Sequence, residues 1–186
     1  RYSNVSILIH WTVAVLVVVN IVIAITMPND RGLFPWYKSI NIAVLLLTIV
    51  WIGWRLVHPW PRFPDSVPGW ERALARGVYL AFYLMMLAVP LLGWATMSAG
   101  GGTGEVFGGI QWFDLPVAKS PELRERLAGI HEAAVYFLVL LIFIHVCGAL
   151  KHQFFVEDVV FHRMVPGLPQ SHMDDDICPA AQRAPT

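Results

Sequence analysis

The chain has 186 residues, 56% of them hydrophobic and only 14% charged, with 13 basic side chains against 13 acidic ones. A soluble domain carries about 25% charged residues, and a fold of this size has too little interior to hide so apolar a composition, whose mean hydropathy is +0.58. Zero formal charge also leaves no basic face broad enough for nucleic acid, so composition excludes that class and points to membrane lipid as the surrounding medium.

Four runs are long and apolar enough to cross about 30 Å of hydrocarbon. They cover residues 6–27, 39–57, 73–97 and 127–155. The predicted fold is therefore an all-α integral membrane protein, a four-helix transmembrane bundle over residues 1–166, followed by a mobile polar tail over 167–186 that contains Asp174, Asp175 and Asp176. The first run is too long for a signal-peptide core and lacks a small-residue cleavage pattern, so a retained span is expected. His10 lies just inside its start.

A turn-rich link from Pro28 to Pro35 leads to Tyr37 and Lys38, just ahead of the second run. Pro59, Pro61, Pro64 and Pro68 then keep the second link extended. The third run follows, with Arg72 and Arg76 near its start and Pro90 inside it. The third link holds five residues from Gly100 to Gly104, four of them glycine, and the pair Gly108 and Gly109. No strand precedes these glycines and no Gly-Lys-Ser/Thr follows, so a turning or flexible loop is expected rather than a phosphate cradle.

The fourth run carries His131, His145 and, at its boundary, His152. Cys147 within it and Cys178 in the tail predict no disulfide, and the absence of Cys-x-x-Cys-His excludes thioether-linked haem. Lys and Arg favour the end with both termini as the cytoplasmic one, through Arg1, Arg55, Arg62, Arg72, Arg76, Lys151 and Arg163.

The histidines carry the chemistry. Fourteen residues separate His131 from His145, about four helical turns, and seven more reach His152 in two, so all three form one stripe. The first two stand about 21 Å apart along the axis, enough for two haems stacked across a membrane. His10 and His145 both sit one to two turns from the same face, where one haem iron can bridge them. Ionisable groups within a span are costly and functional by default, whereas hydrogen bonding between helices is the bland alternative for any one of them. His58, His162 and His172 fall outside the spans or at their edge, and a solvated surface role is expected for each. His152 is a candidate for a haem propionate or quinone contact.

Several stretches resemble the bacterial cytochrome b561 family, which includes a superoxide oxidase delivering electrons to ubiquinone. They are Arg1-Tyr2-Ser3 with Ile9-His10-Trp11, Lys38-Ser39-Ile40, Pro90-Leu91-Leu92-Gly93-Trp94, Val106-Phe107-Gly108, His131-Glu132, His145 through His152, Asp158, and Arg163 through Pro166. The resemblance implies a four-helix bundle in a bacterial inner membrane with two b haems, the inner one on His10 and His145. The outer haem of such proteins uses a histidine at the start of the second helix together with the equivalent of His131. Here that position holds Tyr37, and the third helix shows Tyr79 where the family often has another histidine. Three arrangements stay open: Tyr37 and His131 as ligands of a second haem, His131 alone as its ligand, or an outer site without haem.

The leading functional expectation is electron transfer through haem b, with ubiquinone as the exchange partner on the cytoplasmic side and superoxide or another donor supplying electrons, which would make the chain an oxidoreductase. Arg76, Arg72 and Lys151 lie at the depth of haem propionates. Lys38 and Arg31 stand on the side where an anionic donor would arrive. The alternative is an accessory or anchoring subunit of a larger respiratory or photosynthetic redox complex. A transporter lacks support, because the spans lack the carboxylates and broken-helix pairs that mark ion paths.

Overall fold

The computed structural model describes residues 4–58 and 69–151. Four helices follow in order: α1 (Asn4–Thr26), α2 (Phe34–Val57), α3 (Gly69–Ala99) and α4 (Pro121–Lys151). Each is long and apolar enough to cross a membrane. A two-stranded hairpin, β1 (Glu105–Val106) and β2 (Ile110–Gln111), lies between α3 and α4. His152, Arg62, Arg163, Cys178 and the tail from residue 167 fall outside the described residues.

The helices begin earlier than hydropathy indicates. Pro35 sits in the first turn of α2, where its missing N–H costs nothing. α4 gains its first turns from Pro121 and the charged Glu122, Arg124 and Arg126, residues that suit a helix end standing clear of hydrocarbon. Ser120 caps that helix, its hydroxyl accepting from the N–H of Leu123 at 3.4 Å.

Helix α1 packs on α2, α2 on α3, and α3 on α4. One apolar core draws on all four: Val13 and Val17 from α1, Val44 from α2, Met86 and Val89 from α3, and Leu138 from α4. A second cluster of Ile42, Leu45 and Trp94 lies toward the hairpin, with Trp112 and Leu115 against it. Most other large apolar side chains face outward, as expected where lipid tails are as apolar as the core. At the end holding the start of α3 and the finish of α4, Lys151 bridges to Glu71 at 3.0 Å.

The glycine-rich link forms a tight cap over the opposite end. Phe107, Gly108 and Gly109 all take positive φ, at 52°, 79° and 145°, and turn β1 back on β2 so that Val106 pairs with Ile110. Val106 is only 1% exposed. Side chains at the helix ends hold the loop in place. The N–H of Phe107 donates to Ser39 Oγ at 2.8 Å, Lys38 Nζ donates to the carbonyl of Thr103 at 2.7 Å, and Trp94 Nε1 donates to the carbonyl of Phe113 at 2.9 Å. Asp114 Oδ1 accepts from both the N–H and the hydroxyl of Thr103, at 2.7 and 3.0 Å.

The Thr103 N–H, then its hydroxyl, then Lys119 hold the Asp114 carboxyl below the usual carboxylate range. A carboxyl depressed in the folded state stabilises it fully above the unfolded value and loses that contribution as pH falls through the folded one. The cap is therefore expected to loosen on acidification below the ordinary carboxylate range. Amide exchange at Thr103, corrected for the intrinsic pH dependence, should accelerate there, and in Asp114→Ala it should be fast at neutral pH too.

Candidate functional site

The two histidines picked out by depth meet across the bundle. His10, on the second turn of α1, and His145, within two turns of the end of α4, have ring centroids 6.2 Å apart with planes inclined by 53°. Aromatic rings surround them. Trp11 and Trp51 lie edge-on to His10 at 5.5 and 6.0 Å, and Phe82 of α3 lies edge-on to His145 at 5.3 Å.

Neither imidazole makes a hydrogen bond to the described residues. Nδ1 of His10 is buried without a partner, and so is Nε1 of Trp51 beside it. An unmatched polar atom in such surroundings is costly, and an imidazole nitrogen so placed keeps its ligating capacity free. Two imidazoles on opposite faces of one metal, each bonded at about 2 Å, bring their ring centres about 6 Å apart, the spacing seen here. No cluster of three His, Cys, Asp or Glu side chains occurs among the described residues, so the donor set is a pair of nitrogens, which suits a haem axial site. The chain's own residues thus fit a haem between α1 and α4. Arg76 and Arg72 lie at the same end on α3, while Lys151 is engaged by Glu71.

The other conspicuous pair behaves differently. Tyr37 and His131 also come together, but as hydrogen-bonded partners: the phenol oxygen lies 3.1 Å from His131 Nε2, and His131 Nδ1 lies 3.0 Å from the carbonyl of Val89. Both ring nitrogens are thereby occupied. Axial atoms on either side of an iron stand about 4 Å apart, twice the metal–nitrogen bond, so this pair as arranged does not fit a haem. Gly93 makes the arrangement possible, because a Cβ there would lie 3.2 Å from His131 Cε1. A cavity of about 290 Å³ adjoins the pair, with Asn41, Lys38, Trp94 and Arg124 among its lining.

Sequence reading singled out His10, His145, His131 and Tyr37, and the structure brings them together two by two. It did not find Trp51 and Phe82, whose apolar context reads as ordinary span. Nor did it find Arg124, although its seven-residue spacing from His131 puts both on one face of α4.

The profile of the prokaryotic cytochrome b561 family matches residues 1–167. Among curated relatives, cytochrome b561 homolog 2 of Escherichia coli is 29% identical over 174 residues, covering 89% of this chain and 91% of its own length. Cytochrome b562 of Cereibacter sphaeroides is 31% identical over 176 residues, with 88% and 94% covered. A probable superoxide oxidase of Yersinia pestis is 29% identical over 173 residues, with 89% and 96% covered.

Two glycines provide a paired test of the packing around His131. Replacing Gly by Ala inside a helix ordinarily stabilises by about 0.5–1 kcal/mol, and Gly53, with nothing within 4 Å of its added Cβ, should show that gain. Gly93→Ala should instead lower the thermal midpoint in detergent, since the ring it meets is held by two hydrogen bonds.

Proposed function

The chain belongs to the prokaryotic cytochrome b561 family of membrane haem proteins, and from that premise we propose that it transfers electrons through one b haem held by His10 and His145 and exchanges them with a quinone. The observation that carries this reading is the contrast between a histidine pair with no hydrogen bonds, its rings 6.2 Å apart, and the fully bonded Tyr37 and His131.

A b haem bound there supplies a one-electron ferric–ferrous couple. His10 and His145 would hold the haem iron from α1 and α4. Trp11, Trp51 and Phe82 exclude water from around the imidazoles, and such a dry shell helps set the reduction potential. Arg76 and Arg72 stand at the end where propionates would emerge. The bias of Arg55, Arg72, Arg76 and Lys151 toward this end supports placing it on the cytoplasmic side. His152, outside the described residues, is proposed to meet the quinone there.

Superoxide as donor is the finer part of the reading. It rests on the relative from Yersinia pestis and on Lys38, Lys119 and Arg124 at the hairpin end, which present positive charge to an arriving anion. The second reading, a subunit of a larger redox complex, is favoured by the lack of a second iron-spaced histidine pair among the described residues, which leaves electron transfer concentrated at one end.

Redox-difference spectra of the purified chain test the proposal. A b-type spectrum is expected in the wild type, with loss of at least nine-tenths of bound haem in both His10→Ala and His145→Ala. A short-chain quinol should reduce the wild-type protein. No haem in the wild type, or haem retained in both variants, would contradict the assignment, and co-purification with a redox partner without quinol reactivity would favour the subunit.

A further inference from the structure

The cavity beside Tyr37 and His131 is a built site at the end of the bundle remote from His10. Its floor has a defined polarity. A carbonyl only accepts, so the 3.0 Å contact with Val89 puts a proton on Nδ1 of His131. In neutral imidazole Nε2 is then the acceptor, and the Tyr37 hydroxyl donates to it at 3.1 Å. The phenol proton being committed, the Tyr37 oxygen offers only acceptor capacity, which the neighbouring Asn41 side chain shares with the cavity. Whatever meets it there must donate.

The mouth has the opposite demand. Lys38 and Arg124 both line the cavity. Lys38 is anchored by the Thr103 carbonyl at 2.7 Å, which uses one of its three protons. The guanidinium of Arg124 has no hydrogen bond or ion pair among the described residues. Gly100 gives it room, since a Cβ there would lie 2.8 Å from Arg124 Cδ. Two cations with donors to spare call for an anion.

Between floor and mouth the walls are apolar, with Trp94, Ile42 and Pro90 prominent. The depth follows from α4: Arg124 and His131 stand seven residues, or about 10.5 Å, apart along the axis. That spans one six-membered ring with a polar group at each end. The volume of about 290 Å³ sits at the lower edge of the range of roughly 300–1,000 Å³ typical of small-molecule pockets.

We propose that this pocket binds, where a second haem would otherwise lie, a small planar hydroxylated aromatic anion: its hydroxyl donates to Tyr37, its ring packs along Trp94, and its anionic group meets Arg124 and Lys38. No redox step is attached to it. The site stands on the geometry of α2, α3 and α4 and is independent of the quinone at the other end, while it shares Lys38 and Arg124 with the proposed approach of an anionic donor.

Equilibrium binding to the purified full-length holoprotein, followed by calorimetry and by tryptophan fluorescence, tests this with 4-hydroxybenzoate, benzoate and phenol as probes. One saturable site per chain is expected, with 4-hydroxybenzoate at least tenfold tighter than either of the others. Tyr37→Phe should bring 4-hydroxybenzoate down to the affinity of benzoate. Arg124→Gln, on an exposed side chain without a hydrogen bond or ion pair among the described residues, should bring it down to that of phenol. The haem spectrum should be unchanged in both. Absence of saturable binding, equal affinity for all three probes, or unaltered discrimination in both variants would overturn the proposal, as would loss of haem in Tyr37→Phe.

Discussion

An imidazole buried among apolar helices has to satisfy its nitrogens, and lipid offers no water to do it. The two ends of this bundle meet that demand in different ways. At one end His10 and His145 face each other with no hydrogen bond from the described residues, and an orphaned indole nitrogen stands beside them. At the other, His131 is satisfied wholly by protein, through Tyr37 and Val89. One arrangement leaves ligating capacity unspent and the other uses it up.

The rest of the fold serves this division. Antiparallel packing of neighbouring helices brings the start of α1 and the finish of α4 to the same level, so the two histidines reach across between backbones that are not themselves closely packed. The hairpin closes the opposite end with hydrogen bonds from Ser39, Lys38 and Asp114, each drawn from a helix end or from the loop itself. Pro90 and Gly93 fall within one turn of α3. Val89, just before the proline, supplies the carbonyl that orients His131, and Gly93 leaves the space for its ring.

The four spans were legible because hydropathy reports burial in lipid. Their ends were not: Pro35, and the charged turn from Pro121 to Arg126, are helical residues that lie beyond what hydropathy measures. Depth and helical periodicity brought His10 and His145 together on paper, since each position fixes a height along a known axis. The bond between Tyr37 and His131 depends instead on two side chains leaning toward one another from α2 and α4. Spacing along one helix cannot report that, and the family resemblance, with Tyr37 in place of a histidine, left three arrangements open at this end. The hairpin escaped notice because its strands have two residues each and owe their place to side-chain hydrogen bonds from elsewhere in the chain. Gly108 and Gly109 were the one visible signal, and they specified a turn without the strands around it.

In the proposed function one end of the bundle would ligate iron and the other would not. Electron paramagnetic resonance of the oxidised, purified chain, with haem iron quantified per polypeptide, addresses it most directly. A single low-spin ferric signal of a bis-imidazole haem, at one iron per chain, is expected. A second haem signal, or two irons per chain, would contradict it.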